Sequence, residues 1–260
     1  VWAGLFGRIA GERLGPLGTA SDEFLASRTT GDPLSRIVRD SGDGGIYLIA
    51  DGQRFHFPSC AVVAAWGGGA CTRYSTLSSA QVSSFPRGTT LSDLVLSSHG
   101  ALFWLTAGVK REVMNGSLVS STGAAGPQTT LPTSVLAHLP YGQPVLPADS
   151  MAVARETTAP RWMTQGGTRF AVPADAQSQT ALRDIPAGML DGQSINAMPV
   201  GAPFGGKAAD SSGAEYLLTV TGLLPLSGVE GAVPGTATTF SAASLARFPL
   251  LPAATAPVFA

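Results

Sequence analysis

Alternation of apolar and polar positions recurs along the chain in short runs, each interrupted at a glycine. The first reads Ile46-Tyr-Leu-Ile-Ala, then Asp51-Gly52, then Gln53-Arg-Phe-His-Phe57. Comparable runs flank Gly108 (Gly100 to Met114), Gly166 (Ala159 to Pro173) and Gly222 (Gly213 to Ser227). An aromatic and β-branched run, a Gly-containing turn and a second alternating run form the pattern of a β-hairpin, with its glycine at positive φ. The turn glycines are 56, 58 and 56 residues apart, so the pattern predicts one supersecondary unit repeated four times.

A second motif recurs between the hairpins. It reads Val82-Ser-Ser-Phe85-Pro86-Arg-Gly88, Leu136-Ala-His-Leu139-Pro140-Tyr-Gly142, Asn196-Ala-Met198-Pro199-Val-Gly201 and Leu245-Ala-Arg-Phe248-Pro249. Each predicts a short helix that proline stops, after which glycine lets the chain reverse. Strands are expected at Ser35 to Arg39, Leu94 to Ser97, Met151 to Arg155 and Lys207 to Asp210, with a helix remnant at Asp22 to Arg28.

The expected fold is mainly β with short helices: four repeats of about 56 residues, arranged as a β-propeller-like ring or a pseudo-symmetric repeat sheet. Residues 1–19 read as a linker or the tail of a preceding segment, and 20–260 as the four-repeat domain. The repeats fall at about 35–90, 91–147, 148–203 and 204–255. A closing strand at 256–260, near Pro257 to Phe259, would complete the sheet opened by Ser35 to Arg39. An open pair of two-repeat sheets is the competing arrangement.

Composition narrows the function. Only 13% of the 260 residues are charged, and 16 basic against 17 acidic residues give a net charge of -1. No basic footprint for nucleic acid exists. The longest strongly apolar run, Phe57 to Thr72, is broken by Pro58 and Gly67 to Gly69, too short to span a membrane. Cys60 and Cys71 bracket a loop that a disulfide closes easily, two buried thiols being the alternative; a zinc site would need a second pair.

The hairpin "IYLIADGQRFHFPS" resembles secreted bacterial repeats that read Tyr-Leu-Val, a Gly turn, Lys-Arg and a Pro or Ser stop, followed later by a Leu-Pro-x-Gly step. Such repeats occur in actinobacterial envelope proteins and beside cell-wall hydrolases. "FPRG" at Phe85 to Gly88 and "LPYG" at Leu139 to Gly142 match the second element. The third copy departs at Pro160, and the fourth where Leu223 and Leu224 replace the basic pair. The resemblance implies an extracytoplasmic, repeat-built, non-catalytic module and fixes no ligand.

Known chemistries find little footing. His56, His99 and His138 occupy different places in their copies, and no Gly-x-Ser-x-Gly elbow exists. Gly201 to Lys207 has phosphate-loop spacing, but Ala208 stands where a hydroxyl is required and Pro203 removes a donor. Asp40-Ser-Gly-Asp43 reads as a solvated turn before a calcium loop. Asn115-Gly-Ser117 fits a glycosylation sequon. No catalytic residue, metal or cofactor is predicted.

What recurs is a surface. Arg54, Lys110, Arg111 and Arg169 fall on the second strands of three hairpins, and Tyr47, Trp104, Trp162 and Tyr216 on the first strands. Repeated aromatic and basic groups can stack on sugars and pair with carboxylates several times over. Alternatively, the aromatics are core and the cations guard sheet edges. The expectation is a non-enzymatic extracytoplasmic module binding cell-wall or surface glycan. The alternative is a structural or accessory subunit that docks protein partners in a cell-envelope or secretion assembly.

Overall fold

The computed structural model describes residues 21–27, 35–157, 160–175, 180–227 and 236–253, the side chains of residues 24 and 25 apart. The expectations for residues 1–17 and for a closing strand at 257–259 lie outside the described residues, as does the end of the helix expected at Asp22 to Arg28, observed over Asp22–Ala26.

All four hairpins are present. They are β2 (Ile46–Ala50) with β3 (Gln53–His56), β6 (Leu102–Thr106) with β7 (Val109–Glu112), β10 (Arg161–Gln165) with β11 (Thr168–Ala171), and β14 (Glu215–Thr219) with β15 (Gly222–Pro225). Each is preceded by an antiparallel first strand: β1 (Ile37–Asp40), β5 (Leu94–Ser97), β9 (Asp149–Ala154) and β13 (Lys207–Ala209). Asp51-Gly52, Ala107-Gly108 and Gly166-Gly167 all have positive φ, the conformation of two-residue hairpin turns. In the fourth copy Thr219 pairs with Gly222, so Val220-Thr221 form the turn and Gly222 opens the return strand. The structural counterparts of Gly52 are therefore Gly108, Gly167 and Thr221.

A fourth strand in each copy escaped the sequence reading: β4 (Ser75–Leu77), β8 (Thr129–Leu131), β12 (Ala187–Leu190) and β16 (Thr238–Thr239). Each lies parallel to the first strand of its own copy, giving four four-stranded sheets in the order third, second, first, fourth. No closed barrel or propeller is found among the described residues. Within the first sheet β1 has β2 on one side and β4 on the other. By contact the chain divides into two compact units, residues 1–110 with 123–140, and 111–122 with 141–260.

The fourth strand leads into a short helix: Ser79–Ser83, Thr133–Leu136, Gly192–Asn196 or Ala242–Leu245. Ser78 and Gln81 form a capping box on the first. The residue before each proline is buried: Phe85, Leu139, Met198 and Phe248. In the first sheet Phe85 and Val82 pack on Val38, Ile49 and Leu77. Met198 and Ile195 repeat this on Ala152 and Leu190. Full burial of one such side chain contributes roughly 1.5–3 kcal/mol. In the second unit Met151, Met163, Phe204, Leu218, Phe240 and Phe248 belong to one core shared by the third and fourth sheets.

After the helix the chain returns along the third strand. The proline carbonyl accepts the backbone N–H of Arg54 (2.9 Å from Pro86), Lys110 (3.0 Å from Pro140), Arg169 (2.9 Å from Pro199) or Leu223 (2.8 Å from Pro249). Gly88, Gly201 and Leu251 donate back to Arg54, Arg169 and Leu223, each at 2.8 Å. The glycine of the Pro-x-Gly step is needed for space. A Cβ at Gly88 would lie 2.5 Å from the Phe55 ring, and one at Gly201 2.3 Å from the Phe170 ring.

Two further elements were not foreseen, a helix at Cys60–Ala65 and a 3-10 turn at Gly116–Ser121. Cys60 and Cys71 are disulfide-bonded, bracing the loop that carries the helix. The helix end meets the second hairpin, where Gly108 N–H donates to Ala65 O at 2.8 Å.

Gly88→Ala and Gly201→Ala should each lower unfolding free energy by about 1–3 kcal/mol through overpacking. Gly116→Ala, whose Cβ would meet nothing within 4 Å, serves as the control. Chemical denaturation of the three variants checks this, and equal midpoints would refute the steric account of the Pro-x-Gly step.

Candidate functional site

Strand register sorts the repeated aromatic and basic residues. The second residue of each hairpin's first strand is Tyr47, Phe103, Trp162 or Tyr216. Trp104 is one residue out of step, opposite Leu94, so Phe103 is the true counterpart of Tyr47. The second residue of the return strand is Arg54, Lys110, Arg169 or Leu223. Arg111 therefore occupies the place of Phe55 and Phe170, on the face opposite Lys110, and its Nε donates to Gln143 O at 2.8 Å.

Three copies thus hold an aromatic–cation pair on one face. Tyr47 pairs with His56 and Ile49 with Arg54, so Arg54 lies diagonally across from Tyr47. The guanidinium is 5.7 Å from the Tyr47 ring centre. Lys110 Nζ is 5.8 Å from the Phe103 ring, and the Arg169 guanidinium 4.6 Å from the Trp162 ring. These distances lie within the range of cation–π attraction.

Each cation also reaches the last residue of its copy's helix. Arg54 Nη1 donates to Ser83 Oγ (3.3 Å), Lys110 Nζ to Leu136 O (3.0 Å), and Arg169 Nη1 to Asn196 Oδ1 (2.7 Å). Positive charge is favourable at a helix C-terminus, where carbonyls lack intrahelical partners. The Nε atoms of Arg54 and Arg169 are buried without a hydrogen-bond acceptor. Lys110 is 3% exposed. The repeated cations hold the outer strand to the helix, with the aromatic ring as the surface between them.

The structure also gathers ionisable groups that the sequence did not advertise. In the second unit Arg155 Nη2 donates to Glu112 Oε1 (2.8 Å) and Arg155 Nε to Asp191 Oδ1 (3.3 Å). Asp191 N–H donates to Glu112 Oε2 (2.7 Å), and Tyr141 Oη to Asp191 Oδ2 (3.1 Å). Burial, above all, raises the Glu112 carboxyl, with the Asp191 charge acting in the same direction. Burial and then Asp191 raise the Tyr141 phenol. Glu112 is 1% exposed, which makes the group a pin between strand ends. The clue was the alternation after Gly108, which puts Lys110 and Glu112 on the same inward face.

The remaining candidates settle simply. Asp40 Oδ1 accepts from Gly42 N–H and Ser79 Oγ, and Asp43 Oδ1 from Gly45 N–H, closing two turns. The Ser79 hydroxyl, followed by the Gly42 N–H, holds the Asp40 carboxyl below its usual range. Gly201 to Lys207 leads into strand β13, where a phosphate loop requires a helix, and Lys207 Nζ pairs with Glu215 Oε2 at 2.7 Å. Asn115 caps the 3-10 turn through Ser117 N–H. No cluster of three His, Cys, Asp or Glu suited to a metal occurs among the described residues.

The fold and site define a mainly β, repeat-built protein whose recurrent polar residues join sheet to helix. No protein-family profile and no curated protein matches the chain. Solved structures are matched in the periplasmic assembly of the ESX-5 inner membrane complex (14% identity, 88% of this chain, 62% of that chain, TM-score 0.20). Others are the intact ESX-5 inner membrane complex (13%, 88%, 54%, 0.19) and the EccB3 dimer from the ESX-3 core complex (14%, 86%, 64%, 0.21). The chain spans less than two thirds of each matched chain. At these superposition scores neither fold nor partner is transferred.

Two predictions arise from the clip and its surroundings. Lys110→Ala should destabilise by about 1–3 kcal/mol, because it leaves the buried Leu136 carbonyl without its charged donor. Lys110→Leu, the residue of the fourth copy, should cost less because it restores apolar packing; thermal unfolding ranks the two. Burial first, then the charges of Arg36 and Lys110, push His138 down to about 4 from 6.5. The unfolded chain therefore takes up a proton that the native state refuses. Stability is full above pH 6.5 and falls as pH drops toward 4. The loss attributable to His138 is on the order of 2 kcal/mol after allowance for partial exposure. In urea titrations at pH 7 and pH 4.5, His138→Gln should flatten that slope, and an unchanged slope would contradict it.

Proposed function

We propose that the chain is a non-enzymatic module that docks protein partners in an extracytoplasmic envelope assembly. The observation that carries this reading is the contrast between the two repeated positions. The cation–aromatic positions are alike in three copies and are engaged within the repeat. The residue that follows the proline, beside the sheet edge, differs in every copy: Arg87, Tyr141, Val200 and Leu250. Val200 is 65% and Leu250 68% exposed.

A repetitive glycan calls for the same side chains at each site. Unlike, partly apolar side chains suit individual contacts with proteins, whose interface centres are depleted in charge. The disulfide supports an oxidising, extracytoplasmic setting, and no described helix is long and apolar enough to cross a membrane.

The test is sedimentation with purified peptidoglycan beside cross-linking in an envelope fraction. Docking predicts that the protein stays in the supernatant and forms cross-links to envelope proteins that diminish severalfold in a Val200→Asp/Leu250→Asp variant. Saturable sedimentation that is lost in Trp162→Ala/Arg169→Ala would instead restore the glycan reading.

A further inference from the structure

The fourth copy departs from the other three at three positions, and two of them, the helix end at Arg247 and the hairpin tip at Val220-Thr221, line one cleft. On the return strand, buried Leu223 replaces Arg54, Lys110 and Arg169. At the helix end, Arg247 stands where the other copies have Ser84, His138 and Ala197. At the hairpin tip, Val220-Thr221 replace the positive-φ turns of the other copies. The charge that clips strand to helix elsewhere is here carried by the helix end and faces outward. Arg247 is exposed, and among the described residues its guanidinium makes no hydrogen bond or ion pair.

The cleft has a volume of about 240 Å³, with Arg183, Asp184, Thr219, Thr221, Arg247 and Phe248 among its lining. Arg183 Nε lies 3.6 Å from Asp184 Oδ2, and both side chains are exposed. Two guanidinium groups against one carboxylate leave a surplus positive charge. At the lip stand Val220, 42% exposed, and Leu250, which follows the lining residue Pro249. Arg is suited to bidentate recognition of a carboxylate.

We propose that this cleft docks an acidic segment of a protein partner. A carboxylate side chain lies between Arg183 and Arg247, and a neighbouring apolar side chain rests against Val220 and Leu250. The assignment rests on the docking function and adds the chemistry of the partner: charge complementarity selects an acidic peptide, and the apolar lip selects a large aliphatic residue beside the acid.

Fluorescence anisotropy of the full chain with a labelled peptide of alternating Glu and Leu tests it. Saturable binding is expected, weakened at least tenfold by Arg183→Ala/Arg247→Ala, by Arg247→Glu and by Gln in place of Glu in the peptide, and reduced by added salt. Unchanged thermal unfolding of the exposed-site variants confirms that folding is not being read. Absence of peptide binding, equal affinity of the double variant, equal binding of the Gln peptide, or binding confined to phosphatidylglycerol vesicles would each overturn it. If the double variant retains the parent's cross-links to envelope proteins, the cleft assignment fails while the docking function stands. If the parent forms no such cross-links, the docking function fails, and the peptide measurement still decides the cleft.

Discussion

Each sheet in this protein depends on what proline does at the end of the short helix. Proline has no N–H to donate, so the chain at that step offers only a carbonyl. That carbonyl accepts from the third strand at Arg54, Lys110, Arg169 or Leu223. The preceding apolar residue is driven into the core, and in the first and third copies the following glycine, Gly88 or Gly201, lets the backbone pass close to the outer strand. One step thereby ends the helix, buries an anchor and covers the exposed edge of the sheet, which would otherwise invite pairing with another chain. The parallel fourth strand covers the other side of the first strand. Among the described residues, each copy builds a four-stranded sheet from its own sequence.

The hairpins and helix stops were legible because they use strong local signals: alternation, glycine at positive φ, and an apolar residue before proline. The fourth strands were not. Ser75–Leu77 and Thr238–Thr239 are too short to show alternation, and they form because a parallel neighbour waits across the sheet. Aligning the copies on Gly166 and Gly222 also misplaced the third and fourth turns, since register in a hairpin is fixed by pairing partners rather than by glycine itself. The same one-residue error matched Trp104 with Tyr47 and put Arg111 beside Lys110, although a step of one residue in a strand changes the face.

The candidate surface was legible as chemistry, and its geometry was not. Aromatic and basic residues do recur on one face, but in three copies the cation is directed onto the helix end. A charged side chain in that role is conditional on a carbonyl or polar acceptor two to four ångströms away, information that composition and spacing do not contain. Only when the fourth copy is laid over the others does a different distribution of charge emerge. Leucine fills the inward place, and arginine appears at the helix end instead, with no acceptor among the described residues. Repetition supplies the internal control: the clip is structural where it recurs, and the displaced charge is informative because the same scaffold stands without it.

The Glu112–Arg155–Asp191 pin illustrates a different principle. Burying a carboxylate costs several kcal/mol, and pairing alone does not regularly offset it. Here Glu112 is met on one oxygen by Arg155 and on the other by the Asp191 backbone N–H, while Asp191 is met by Arg155 and Tyr141. Each contact is directional, whereas an apolar contact of the same volume could slide. Glu112 sits at the end of β7, Arg155 directly after β9, and Asp191 directly after β12. The network ties the end of β7, by directional contacts, to the residues that follow β9 and β12, two strands of another sheet.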